Sequence, residues 1–200
     1  MIKTIVFTLV AATVSLSHTG EELFSEGDFE NGNPPVRLCA PAGHFEFAVI
    51  REASGNHCAM MRIRKTHIDA KTGKHAINGS ILAGRVKGRY GNDGCEAIKI
   101  KPDTRYEIRF SCKGNVNKLY LRAYCWKNAA KDRKDRIEHK YKSPIIPASE
   151  WQEYVWEVKT DTETKTMAVD FQVWTEGKQG SLTETTGNIL MIDNISIREK

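Results

Sequence analysis

Ile189-Leu190-Met191-Ile192-Asp193-Asn194-Ile195-Ser196-Ile197 is the stretch that decides the fold of this chain. Taken with a period of two it is a strand, with Ile189, Met191, Ile195 and Ile197 on one face and Asp193 on that same apolar face. A lone carboxylate among apolar side chains is costly unless paired or metal-bound, so Asp193 needs a partner. A second short segment, Gly27-Asp28-Phe29-Glu30, lies near the opposite end. Together the two suggest one closed domain whose first and last strands meet.

The alternation recurs between these ends. Phe45, Phe47 and Val49 follow it, as do Ala59, Met61 and Ile63, then Tyr106, Ile108, Phe110 and Cys112, then Leu119, Leu121, Ala123 and Cys125. Tyr154, Trp156 and Val158, and then Val169, Phe171 and Val173, continue it. Turn signals stand between, at Lys113-Gly114-Asn115 and Glu176-Gly177-Lys178, and helical periodicity, internal repeats and low-complexity linkers are lacking. The expected class is all-β, a β-sandwich of two antiparallel sheets. A hairpin around Gly114 would join Tyr106–Cys112 to Leu119–Trp126. It would hold Cys112 and Cys125 roughly 20 Å apart, beyond the reach of about 7 Å that a disulfide tolerates.

Two stretches depart from the rhythm. Arg64 to Gly94 is polar and rich in Lys, His and Gly, and is expected to be a long connection with one strand inside it. Lys127 to Lys142 contains Lys131-Asp132-Arg133-Lys134-Asp135-Arg136, whose mixed signs suit a solvated loop, with a basic patch or a short exposed helix as the alternatives. It carries no motif that enters a nucleic-acid groove, so nucleic acid is not an expected partner.

Residues 1–17 are expected to be a secretory signal: Lys3 is the positive start, Ile5 to Leu16 a mostly apolar stretch, and Ser15-Leu16-Ser17 a small-residue cleavage pattern. Residues 18–200 then form a single domain, secreted to the extracellular space or the periplasm. The apolar run is too short for a lasting membrane span and nothing later is longer, so no span is expected. A TIM-barrel hydrolase would need roughly 250 residues, more than the chain of 200 contains. The net charge of +5 is mildly basic, compatible with anionic polysaccharides or with an ordinary surface of mixed sign. Five cysteines, Cys39, Cys58, Cys95, Cys112 and Cys125, lie in the exported part, where disulfides are allowed and at least one thiol is left over.

The motifs in order carry a resemblance. They are the Gly-Asp-Phe-Glu opening at Gly27, Tyr-x-Ile-x-Phe-x-x-Lys-Gly at Tyr106 to Gly114, Trp151-Gln152-Glu153-Tyr154, and the closing Ile-Asp-Asn-Ile-Ser-Ile. Spanning Leu23 to Ile197, they resemble the β-jelly-roll carbohydrate-binding modules of the family 4, 9, 16 and 22 type, with their galactose-binding-like fold. The resemblance implies non-catalytic binding of a polysaccharide or oligosaccharide, usually as an accessory to a glycoside hydrolase. It also implies a structural Ca²⁺ at the strand junction, held by the Asp28 carbonyl, Glu30, Glu52, the carbonyl near Gly55, and Asp193. Calcium takes six to eight such oxygens. The alternative for Glu30 and Asp193 is pairing with backbone N–H groups or an Arg, without metal.

A binding face follows from strand parity. If Leu119, Leu121, Ala123 and Cys125 are core, then Tyr120, Arg122, Tyr124 and Trp126 project the other way, as do Asp170, Gln172 and Trp174 on the later strand. Aromatic rings stack on the C–H faces of sugars while Arg and Gln meet their hydroxyls. Arg122, Tyr124, Trp126, Gln172 and Trp174 are therefore the candidate glycan contacts, unless some of these rings pack under the long loops. An enzyme needs more. Glu153 and Glu157 share one face of a strand, but His44, His57, His67, His75 and His139 are scattered, and no HExxH, Cys-x-x-Cys or Gly-x-Ser-x-Gly accompanies them. The expectation is a non-enzymatic binder, with an exported adhesive or structural domain and a small glycoside-acting enzyme as alternatives.

Overall fold

Period-two patterning with β-branched and aromatic residues on one side gives strands that must bury one face each, and two sheets stacked face to face do so. The computed structural model describes residues 20–24, 27–30, 36–40, 42–68, 75–84, 98–127, 136–177 and 186–200. Its strands, in chain order, are β1 (Val36–Cys39), β2 (Phe45–Arg51), β3 (His57–Ile63), β4 (His67–Ile68), β5 (His75–Ala83), β6 (Ile98–Lys99), β7 (Arg105–Gly114), β8 (Leu119–Trp126), β9 (Arg136–Lys140), β10 (Gln152–Lys159), β11 (Thr166–Gly177) and β12 (Ile189–Glu199). Every pairing is antiparallel. A seven-stranded sheet runs β1-β5-β11-β8-β9, with β4 added to β5 and β6 to β11, and a five-stranded sheet runs β10-β7-β12-β3-β2. The chain is an all-β sandwich, as the alternation required.

The core lies between the sheets. Phe110 of the five-stranded sheet meets Phe171 of the other edge-on, with ring centroids 5.0 Å apart, and stacks on Tyr154 at 5.3 Å. Gly79 is needed where it stands: a Cβ there would come 2.6 Å from the Phe45 ring, which occupies the space a side chain would take. The N-terminal segment closes on the last strand. Leu23 N–H donates to the Ile197 carbonyl at 2.9 Å and Ile195 N–H to the Gly27 carbonyl at 3.0 Å. The Glu22 carboxylate also accepts from Ile197 N–H at 2.8 Å and from Arg198 Nε at 2.9 Å.

Three expectations change. The closing strand does not keep one parity: Leu190 and Ile192 are fully buried in the core, and a β-bulge between Asp193 and Ser196, with Asn194 at φ 53°, returns Ile195 and Ile197 to the same side. Asp193 therefore pairs with Ser111 on the outward face, not among the core isoleucines. The hairpin around Gly114 does not form, because β7 and β8 belong to different sheets and residues 115–118 carry the chain across the sandwich. Lys127 to Lys142 contains β9, paired with β8 along its whole length. Its single apolar residue, Ile137, gives too faint a pattern to mark a strand.

Arg64 to Gly94 contains β4 and β5. The expected signal at 1–17 and Cys95 lie outside the described residues. Among the described residues no helix is long and apolar enough to cross a membrane.

Candidate functional site

The outward face of the seven-stranded sheet is set by its register. Asn78, Ser80 and Leu82 of β5, Ala168, Asp170, Gln172 and Trp174 of β11, and Tyr120, Arg122, Tyr124 and Trp126 of β8 share it, with Arg136, Glu138 and Lys140 of β9 at the edge. Every residue of the sequence-derived set, Arg122, Tyr124, Trp126, Gln172 and Trp174, is on this face. They do not all face solvent. Tyr124 is 9% exposed and Trp126 2%, and with Leu82 and Ala168 they form a second apolar cluster. Arg136 lays its guanidinium over the Tyr124 ring, 4.0 Å from the centroid.

Beneath that guanidinium runs a buried polar network. Asp170 is 3% exposed and accepts a hydrogen bond from the Tyr124 hydroxyl at 3.0 Å and another from Ser80. Burial raises the Asp170 carboxyl above its ordinary value against these hydrogen bonds and the charges of Arg122 and Arg136. Burial also pushes the Tyr124 phenol up to about 12, with the Asp170 charge adding to it. A phenol held there is a poor base at neutral pH, so Tyr124 acts as a hydrogen-bond donor that positions Asp170.

The half-buried part of the face lies at its other end. Tyr120 and Trp174 meet edge-to-face with centroids 5.9 Å apart. Gln172, across from Tyr120 in the register, donates its amide to Asn78 Oδ1 at 2.9 Å. Tyr120 shares the alternation of β8 without belonging to that set, and Asn78 has no signal in the sequence beyond its position on β5. Aromatic edges beside two amides and a guanidinium suit a ring that carries both C–H faces and hydroxyls.

The strand junction is a separate place. Asp193 is 2% exposed, and its carboxylate accepts from Asn56 Nδ2 at 2.7 Å, from its neighbour's backbone at Asn194 N–H, also at 2.7 Å, and from Asn194 Nδ2 at 3.2 Å. Burial raises its carboxyl above the usual range, and the nearby charges of Glu30 and Asp28 raise it further. Glu30 accepts from His57 N–H at 2.8 Å and meets His57 Nδ1 at 2.9 Å, the backbone bond first among the causes that lower its carboxyl. His57 opens β3.

Three acidic groups thus gather where the sequence placed a metal. Two members of that set are engaged elsewhere. The Glu52 carboxylate pairs with Lys113 and accepts from Trp151 Nε1 at 2.9 Å, and the Gly55 carbonyl accepts from Arg51 Nε at 3.2 Å. A guanidinium on a carbonyl and an ammonium on a carboxylate are poor neighbours for a cation, so Glu52 and Gly55 do not fit calcium. Among the described residues, no group of three or more His, Cys, Asp or Glu side chains is arranged to hold a metal. Glu153 and Glu157, the carboxylates weighed for catalysis, are exposed on β10 and pair with Arg109 at 3.0 Å and with Lys200.

No protein-family model matches the sequence, and no curated protein matches it. Solved structures match its fold. The tandem CBM22-1–CBM22-2 domain from Paenibacillus barcinonensis Xyn10C superposes with a TM-score of 0.59 at 13% identity, over 95% of this chain and 52% of that one. The CBM22-2 xylan-binding domain of the same protein gives 0.53 at 12% identity, over 86% of this chain and 97% of that one. The enzymatically active domain of tailspike protein 4 of bacteriophage CBA120 gives 0.57 at 11% identity, over 90% of this chain. The chain spans about a fifth of that tailspike chain and about half of the tandem domain. In its fold, this chain is similar to the carbohydrate-binding modules of the jelly-roll type.

Proposed function

We propose that the protein binds a polysaccharide without cleaving it, through the outward face of the seven-stranded sheet. The observation that carries this is the half-buried Tyr120–Trp174 pair beside Gln172, Asn78 and Arg122. The aromatic pair offers a ring face for stacking, and the amides and guanidinium supply donors and an acceptor for hydroxyls. Tyr124 and Trp126, buried at the other end of the face, brace the sheet instead of touching the sugar. The exposed acids of β10 are spaced four residues along one strand, roughly 13 Å, too far for the paired carboxylates of a retaining glycosidase at about 5 Å.

Export through residues 1–17 is part of the same proposal. So is a structural calcium at the strand junction, resting on Asp28, Glu30 and Asp193, where it would neutralise three nearby acidic groups and tie the N-terminal segment to β12.

The test is a retention screen of the purified protein on soluble and insoluble polysaccharides, with calcium and with EDTA, while released reducing ends are assayed. Retention on one polysaccharide class without release supports the proposal. No retention on any of them overturns it in favour of an adhesive or structural domain, and release of reducing ends overturns its non-catalytic part.

A further inference from the structure

We propose that the polysaccharide taken by this face is acidic, with its uronate carboxylates received by Arg122, Arg136 and Lys140. This inference rests on the glycan-binding reading above and adds the charge of the ligand. The two outward faces of the sandwich differ in how their cations are balanced. On the five-stranded sheet several cations close on a carboxylate: Arg109 meets Glu107 at 2.5 Å and Glu153 at 3.0 Å, Arg198 meets Glu22 at 2.9 Å, Lys113 pairs with Glu52, and Lys200 with Glu157, while Arg62 and Arg64 share Glu46.

The seven-stranded sheet is different at its β9 edge. Arg122 Nε, an Arg136 guanidinium nitrogen and Lys140 Nζ all turn to one carboxylate, Glu138, at 3.5, 3.4 and 3.8 Å. A closed charge-assisted bond is about 2.7–2.9 Å, so none of the three is closed, and a single carboxylate cannot balance three cations. Asp170, across from Arg122 in the register, is buried beneath them, and its charge offsets at most one of the three cations. Among the described residues the edge therefore keeps an excess of positive charge.

Position makes that excess usable. Arg122 and Arg136 side chains are 24% and 21% exposed, held against the sheet where salt screens them less than free surface charges. Their planar forks suit a carboxylate. Arg122 is two residues along β8 from Tyr120, roughly 7 Å, about the span of one sugar ring. A ring resting on Tyr120 and Trp174 places the acid group of its neighbour over Arg122 and Lys140, which are paired in the register. A neutral glycan would leave this corner unanswered.

The experiment compares polygalacturonate, alginate and hyaluronan with their carboxyl-reduced forms, which keep the backbone and lose the charge, at physiological salt. The expected result is retention of the protein by at least one acidic polymer and loss of that retention on reduction. Arg122→Gln and Lys140→Gln should each weaken binding about two- to fivefold, the contribution of one partly exposed ion pair. Glu138→Gln should strengthen binding by a similar factor, because it frees the cations. Lys159→Gln, which removes the same charge from the other sheet, should change nothing.

Equal or tighter binding of a carboxyl-reduced or natively neutral glycan overturns this inference while leaving glycan binding standing. Weaker binding by Glu138→Gln overturns it too, as does tighter binding of a single-stranded DNA oligonucleotide than of any acidic polymer. Binding to no glycan, acidic or neutral, overturns both.

Discussion

The Tyr124 hydroxyl donates to the Asp170 carboxylate at 3.0 Å, tying β8 to β11 across the outward face of the seven-stranded sheet. The bond explains why an acid at 3% exposure is tolerated there and why a tyrosine in an alternating aromatic row is not offered to solvent. It divides the face into a buried support at Tyr124, Trp126 and Asp170 and a half-buried surface at Tyr120, Gln172 and Trp174.

Variants of the support should lose stability before they lose binding. Tyr124→Phe leaves Asp170 short of one donor and should cost about 1–3 kcal/mol. Trp126→Ala empties a filled site and should cost about 3–5 kcal/mol. Urea denaturation measures both. A Trp126→Ala protein with the wild-type midpoint but no glycan retention would show that this ring touches the ligand after all.

Asp170 should make stability pH-dependent in a known direction. Its carboxyl is raised in the folded state, so the folded protein holds this proton more tightly than the unfolded chain does. The contribution is fully present below the unfolded value of about 3.9 and is lost as pH rises through the raised folded value. Asp170→Asn has no proton to lose and can still accept from Tyr124. The stability of the variant relative to wild type should therefore climb as pH rises from about 4, as followed by denaturation midpoints across a pH series. A difference independent of pH would assign the effect to another group.

Much of this was legible in the sequence because strand parity is a local property. The alternation from Leu119 to Trp126 and from Val169 to Trp174 was enough to put Arg122, Tyr124, Trp126, Gln172 and Trp174 on one face. Depth was not legible, since what covers a residue depends on a neighbouring strand: Arg136 over Tyr124 belongs to β9, whose Arg-Ile-Glu-His-Lys pattern has little to bury. At the closing strand the same rule failed for a different reason. One extra residue at the Asn194 bulge shifts the parity, and a period-two reading through it puts Ile189 and Met191 inward where Leu190 and Ile192 belong.

Trp174→Ala and Tyr120→Ala should behave in the opposite way to the support variants. Each removes one half of an edge-to-face pair at the half-buried end, and each should weaken polysaccharide binding about two- to tenfold, the energy of an aromatic contact. The denaturation midpoint should move little. Isothermal titration against whichever polysaccharide is retained in the screen decides this, and wild-type affinity in both variants would move the binding surface elsewhere.

Cys58, Cys112 and Cys125 should be unreactive until the protein unfolds. They are fully buried thiols, and burial pushes each up to about 12. At pH 8 about one in ten thousand would be thiolate even with access. Iodoacetamide in native buffer should leave all three unmodified by mass spectrometry, and labelling in denaturant should reach each. Labelling of Cys58 in the native state would show that the outward face of β3 opens.

Asn56 and calcium should substitute for one another at Asp193. Asn56 Nδ2 donates to the carboxylate at 2.7 Å, and Asp193 at 2% exposure has little water to replace it. In EDTA, Asn56→Ala should therefore cost about 1–3 kcal/mol, the penalty for an underbonded buried acceptor. If an ion rests on Asp28, Glu30 and Asp193, added calcium should raise the thermal midpoint of wild type and should recover part of the loss in Asn56→Ala. Asp193→Asn should abolish the calcium response in both backgrounds, because the amide brings no charge to the junction. Identical melting curves with calcium and with EDTA for wild type and Asn56→Ala alike would instead show that Asn56 and the two Asn194 donors satisfy Asp193 by themselves, leaving the junction metal-free.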